Sequence, residues 1–262
     1  MSQTTLGFSV VASALTALLY LYVGSVIRKR VVSAEAKLAQ SMFVLWWQAL
    51  GYLSLLGAAA LGLYMAGGLD DTRIWLYQSY VSFVLLVLFV ALWGLQFYLV
   101  YLYTGSKRWF APLGVFYAVL FMATLALVSY AGTPQHIVDN GWFIKTEPEL
   151  KLGPAVGLGF VLVLVGPQVL AAIAYARLFR KTDDRTQKYR IAMVTGSILV
   201  WFGSSILATA AQVSTAGWWQ IISRFISVFG ALAILMAYKP PAWIRKHGIR
   251  SISEETGGAS PA

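Results

Sequence analysis

The sequence predicts an all-α polytopic membrane protein, a bundle of seven transmembrane helices with its N-terminus outside and its C-terminus in the cytoplasm. Three observations carry this. Of 262 residues, 59% are hydrophobic and only 11% are charged, against about 25% charged in a soluble domain. The apolar residues fall into seven runs of about 20 or more, the length needed to span the hydrocarbon core. Basic residues gather in alternate connections, and positive loops stay in the cytoplasm.

The first run, Leu6–Ile27, has no basic region before it and ends at Arg28-Lys29-Arg30. It reads as a retained span with a stop, not as a cleaved signal peptide. Ser9, Ser13, Thr16 and Tyr20 recur along it at spacings of four, three and four, which puts them on one helical face. The second run, Met42–Met65, carries Gln48, and the third, Ile74–Tyr103, carries Ser82 and Gln96. These glutamines read as interhelical hydrogen-bonding pins.

The fourth run, Phe110–Tyr130, leads into the longest connection. There Ile137-Val138 and Trp142-Phe143-Ile144 flank Asp139-Asn140-Gly141, turn chemistry between two β-prone runs. A small hairpin over the outer face is expected, either as a cover for helix ends or as a lid. The fifth run, Pro154–Phe179, contains Gln168 beside Pro167, and the proline predicts a kink.

The sixth run, Ile191–Val213, places Ser197, Trp201, Ser205, Thr209 and Gln212 on one face. The seventh, Trp218–Tyr238, carries Gln220, Arg224 and Ser227 and ends at Lys239-Pro240-Pro241. The tail, 239–262, is short and basic: "AWIRKHGI" reads as an interfacial stretch with Trp243 and Ile244 at the headgroups, and "GGASPA" as a disordered end.

The net charge of +10 follows topology and does not point to nucleic acid. It predicts contact with anionic lipid at the cytoplasmic face. The cytoplasmic loops 28–41 and 180–190 are the expected contacts for a protein partner. The expected location is the cell inner (plasma) membrane, crossed several times.

All ten acidic residues lie in connections or the tail, so the carboxylates of pumps and ion-coupled transporters are missing from the spans. Without cysteine there are no thiolate metal sites or disulfides. The seventh span lacks a mid-helix lysine, and His136 and His247 both lie outside the spans. No covalent retinal and no haem are therefore expected, whereas bound lipid or pigment is compatible with the sequence. No catalytic constellation is present, and the chain does not read as an enzyme.

The candidate ligand site is built on Arg224. It sits about seven residues into its helix, roughly 10 Å deep, where an arginine costs less than the 2.5–3.5 kcal/mol or so of the helix centre. Snorkelling is one reading of it. The other is an anchor for an anionic or strongly hydrogen-bonding ligand entering from outside. At matching depth the sequence offers Gln220, Gln212, Thr209, Ser205, Ser13, Thr16 and Ser82. Small polar residues in spans also serve simply to join helices.

The inner end of the third span, "YLYTGSKRW", is followed almost at once by a new span. With "LYLYVGSVIRKR", the hairpin-like loop and "RTQKYRIAMVTGSIL", it resembles the seven-helix N-terminal sensor modules of bacterial and archaeal histidine kinases. The resemblance covers roughly Leu6 to Arg190. In that family a dimerisation helix and an ATPase domain follow the seventh span, whereas here only about two dozen residues do. The resemblance implies the sensing half alone, with output passed to a separate protein.

The first expectation is thus a stand-alone seven-helix sensor or receptor-like protein that binds a small ligand in the outer half of its bundle. The alternatives are a non-catalytic subunit of a respiratory or photosynthetic membrane complex, and a transporter of an uncharged or anionic solute. The orientation is open to direct test. Cysteines introduced at Ser214 and Thr133 are expected to react with an impermeant thiol reagent in intact cells, and one at Thr182 only after the membrane is opened. Reaction of the Thr182 cysteine in intact cells would reverse the assignment.

Overall fold

The computed structural model describes residues 2–30, 33–130, 136–139, 143–147, 169, 172–213, 218–246 and 248–249. Among them the helices are α1 (Ser2–Arg28), α2 (Lys37–Met65), α3 (Ile74–Thr104), α4 (Phe110–Tyr130), α5 (172–181), α6 (Arg185–Val213), α7 (Trp219–Tyr238) and α8 (Ala242–Arg245). Short 3₁₀ turns, η1 (Asp71–Arg73) and η2 (Lys107–Trp109), precede α3 and α4. Six helices are long and apolar enough to cross a membrane, and the chain is an all-α membrane protein. Most of the expected fifth span, Pro154–Phe179, lies outside the described residues, as does the end of the tail. Three helices start before their apolar runs, α1 at Ser2, α2 at Lys37 and α6 at Arg185, the last two at a charged residue. Charged residues at a membrane surface prolong a helix at no desolvation cost.

α1 packs along α2, α2 along α3, α3 along α4 and α6 along α7, and α7 closes against α1. α1 and α7 run parallel. Arg224 near the start of α7 meets Ser9 of α1, and at the other end Arg30 lies over the Tyr238 ring, 5.7 Å from its centroid. One end of the bundle therefore carries Arg28, Lys37, Lys107, Arg108, Arg185 and Lys239, and will be called the basic end. The opposite end carries the hairpin.

Aromatic residues fill the centre. Trp46 and Trp47 are fully buried. Trp46 meets Trp201 edge-on at 4.6 Å, Tyr20 meets Trp47 at 5.6 Å and Phe43 stacks on Tyr98 at 4.2 Å. Lipid is as apolar as these side chains, so the gain on association comes from close packing and from hydrogen bonds between helices. Gln40 supplies one such link. Its amide donates to the carbonyls of Ile27 (2.7 Å) and Arg30 (2.8 Å), at the end of α1 where helix carbonyls lose their ladder partners; Ile27 O also accepts from Arg30 N–H. Gln96 does not act as the expected pin: it is buried on α3, and its amide nitrogen meets no partner among the described residues.

Gly94 lets α2 and α3 touch backbone to backbone, since a Cβ there would lie 2.7 Å from the Met42 carbonyl oxygen. Gly105 ends α3 in the left-handed region at φ 65°, and its N–H donates to Tyr101 O at 2.7 Å. Ser106 then caps η2 through Arg108 N–H. The turn inside "YLYTGSKRW" thus follows from local glycine and serine chemistry.

At the hairpin end, β1 (His136–Asp139) pairs antiparallel with β2 (Ile144–Glu147), His136 opposite Glu147 and Asp139 opposite Ile144. The second strand starts at Ile144 rather than at Trp142, so the connection is longer than a tight Asp-Asn-Gly turn. Ile144 packs with Leu6, Ala60, Leu61 and Leu69, which sets the hairpin over the ends of α1, α2 and α3. Asp71 clasps it. One carboxylate oxygen accepts from Ile137 N–H at 2.7 Å, and the other lies 2.9 Å from His136 Nδ1. Its neighbour Asp70 caps η1, and the Thr72 hydroxyl donating to it at 2.6 Å, helped by Arg73, holds its carboxyl below the usual carboxylate range.

Beyond Pro241, α8 turns Trp243 outward and buries Ile244 against the bundle. The tail therefore does not offer both residues to the headgroups.

Two expectations follow from this packing. Gly94→Ala should destabilise the bundle by about 1–3 kcal/mol, the cost of overpacking a rigid contact, in reversible denaturation in detergent. Gly203→Ala, where a Cβ meets nothing within 4 Å, should change stability by no more than about 0.5 kcal/mol; equal losses would refute the close-approach argument. Asp71→Ala should speed hydrogen exchange at the Ile137 amide by up to about fivefold, the range of an exposed pair. Exchange at the Leu92 and Leu95 amides in mid-α3 should stay unchanged.

Candidate functional site

The polar stripes of α1, α6 and α7 meet in the half of the bundle nearest the hairpin, around a cavity of about 260 Å³. That is room for roughly nine waters at their share of liquid volume. α1 contributes Ser13, Thr16 and Tyr20; α2 contributes Leu50, Leu53, Ser54 and Gly57; α3 contributes Tyr80. α6 supplies Trp201, Ser204 and Ser205, and α7 supplies Ser223, Arg224 and Ser227.

Arg224 does not snorkel to the surface. It turns into the bundle, and Nη1 donates to the Ser9 carbonyl of α1 at 2.6 Å. A helix carbonyl already bonded along its own ladder keeps a second lone pair, so α1 can accept this donor without breaking. Ser9 O also accepts from the Ser13 hydroxyl at 2.8 Å. Tyr80 stands within electrostatic reach of the guanidinium. Among the described residues, no carboxylate lines the cavity. A carbonyl satisfies one N–H but cannot neutralise a guanidinium, whereas a carboxylate can, through a bidentate pair.

The hydroxyls have a different disposition. Ser13, Thr16, Ser54, Ser204 and Ser227 each donate to a carbonyl of their own helix, at 2.6 to 3.0 Å. Ser205 does the same to Trp201 O at 3.0 Å. Tyr20 is 2% exposed, and its hydroxyl has no partner in bonding geometry among the described residues, although Ser227 lies beside it. A phenol enclosed in this way forfeits a hydrogen bond unless an occupant supplies one.

Of the residues singled out from the sequence, the structure brings Arg224, Ser13, Thr16 and Ser205 together at this cavity. The side chains of Gln220, Gln212 and Thr209 lie outside the described residues. Ser82 does not belong to the cavity. It is exposed in a separate groove with Trp75, Gln78, Ser79, Phe83, Leu86 and Phe121. Depth alone points to Ser82, which lies on another face of α3: Tyr80, two residues earlier and nearly opposite on the helix, is the α3 residue that lines the Arg224 cavity. Ser204 and Ser223 were also missed, each one position from a residue of a stripe. On α2, the i, i+4, i+7 spacing of Leu50, Ser54 and Gly57 was the available signal. A Cβ at Gly57 would lie 4.0 Å from the Tyr80 hydroxyl, an ordinary contact distance, so α2 and the Tyr80 side chain meet there.

The chain matches no protein-family model, no curated protein and no solved structure, so the functional reading rests on this geometry.

Proposed function

We propose that the protein is a seven-helix membrane sensor or receptor-like protein, with its hairpin end outside the cell membrane and its basic end in the cytoplasm. A small ligand enters from the hairpin end and binds in the Arg224 cavity. Occupancy is passed through the bundle to a separate cytoplasmic partner at loops 28–41 and 180–190. The resemblance to histidine-kinase sensor modules supports the same reading of the bundle as the sensing part of a signalling system.

The observation that carries this reading is the cavity wall at Arg224. A guanidinium is held inside an apolar bundle on a neutral carbonyl, beside an enclosed tyrosine hydroxyl that has Ser227 next to it but no partner in bonding geometry among the described residues. A purely structural arginine would be matched by a carboxylate or drawn out to the headgroups. An anionic occupant completes the site, because it supplies the negative charge that the described lining residues lack.

The test is ligand-dependent thermal stability in mild detergent, with sodium propionate as the probe and sodium chloride at equal ionic strength as the control. A ligand that binds only the folded state raises the midpoint in proportion to RT ln(1 + [L]/Kd). Wild type should be stabilised and Arg224→Gln should not. Arg224→Lys should give an intermediate response, since lysine keeps the charge but lacks the planar fork. No stabilisation of wild type, or the same rise in wild type and Arg224→Gln, would refute the site.

A further inference from the structure

The hydroxyls around the cavity narrow the chemistry of its occupant, given that the Arg224 cavity is a ligand site. A serine or threonine has one proton to donate and lone pairs to accept with. In Ser13, Thr16, Ser54, Ser204 and Ser227 that proton is committed. Each hydroxyl lies 2.6 to 3.0 Å from a backbone carbonyl oxygen, and a carbonyl can only accept. What these side chains have left to offer is therefore acceptor capacity. The donor wall is set by the charged Arg224 on α7, with the hydroxyls of Tyr20 on α1 and Tyr80 on α3 beside it. The acceptor ring is spread over α1, α2, α6 and α7.

An occupant that matches both walls carries one negative charge and, apart from it, hydroxyl protons to donate. We propose that the cavity takes a small hydroxycarboxylate monoanion, its carboxylate on Arg224 and its hydroxyls donating to the serine and threonine oxygens. A simple carboxylate satisfies the donor wall and leaves the acceptor ring facing methyl groups. An amino acid brings a carboxylate and an ammonium together. Its net charge is zero, so the charge of Arg224 stays uncompensated in a site where no carboxylate is among the described lining residues. A dianion overcompensates a single guanidinium. Glycerate is within the size that about 260 Å³ admits.

The experiment compares D-glycerate, propionate and L-serine on the intact protein in detergent, by thermal stabilisation and by isothermal titration at one pH and ionic strength. Glycerate should bind at least about tenfold more tightly than propionate, the discrimination of one hydrogen-bonding contact left unmade, and more tightly than L-serine by a similar factor. Arg224→Gln should abolish binding of both acids. Ser204→Ala, which keeps the guanidinium, should weaken glycerate and leave propionate unchanged. Ser54→Ala provides a second test should Ser204→Ala fail to fold. Equal affinities for glycerate and propionate, both dependent on Arg224, would overturn the acceptor-ring assignment and leave the anion site standing. L-Serine binding as tightly as glycerate would overturn the monoanion assignment. If no probe binds in an Arg224-dependent way, the ligand class and the site itself both fall.

Discussion

Hydrocarbon accepts no hydrogen bonds, and the rest of this structure depends on that constraint. Every polar group in a span must find a partner on its own helix or on a neighbour. Most of the described serines and threonines in the spans meet it locally, by returning their protons to carbonyls three or four residues back; the Ser9 hydroxyl does not. That makes them tolerable at many depths and leaves the helices free to pack by shape. Arg224 cannot be satisfied in this way. Its side chain reaches across to α1, and the pairing of α7 with α1 fixes where the first and last long helices of the bundle meet. Arg30 over Tyr238 holds the same two helices at their other end, so the parallel pair is fastened at both ends by an arginine.

Between these fastenings the packing is a matter of volume. Gly94 brings α2 and α3 to backbone contact. Trp46, Trp47, Phe43 and Tyr98 fill the wider spaces with rings whose edges and faces alternate. The cavity persists in the half nearest the hairpin because eight of its fourteen described lining residues are serine, threonine or glycine, too small to fill the gap. The hairpin rests on the apolar cluster of Leu6, Leu61 and Leu69. Tyr80 packs at the edge of that cluster with one side toward the cavity.

The sequence made the long helices and the hairpin legible for physical reasons that vary from element to element. On α1, Ser9, Ser13, Thr16 and Tyr20 are polar residues against an apolar background, so their periodicity marks the inward face. The same holds for Trp201 and Ser205 on α6 and for Arg224 and Ser227 on α7. α3 is apolar on all sides, and nothing in its periodicity tells the cavity side from the lipid side. Ser82 was accordingly assigned by depth alone, while Tyr80, an amphipathic residue equally at home at an interface, gave no sign of its role. The partner of Arg224 was invisible for a different reason: it is a main-chain atom, and the sequence of side chains carries no record of it. The longer β2 register was missed because Asp-Asn-Gly is a turn signal that fixes the presence of a turn better than its length.

That main-chain partner has a consequence for how the contact would appear to genetics. Any residue at position 9 brings a carbonyl, so replacing Ser9 leaves the acceptor in place. A side-chain scan of α1 would record position 9 as indifferent to Arg224, and no complementary charge exchange could be selected there. The dependence is one-sided: position 224 is constrained in identity, and position 9 only in location. Changes that rotate or shift α1, distant from position 9 and unrelated to it in chemistry, are where second-site suppressors of an Arg224 substitution would arise.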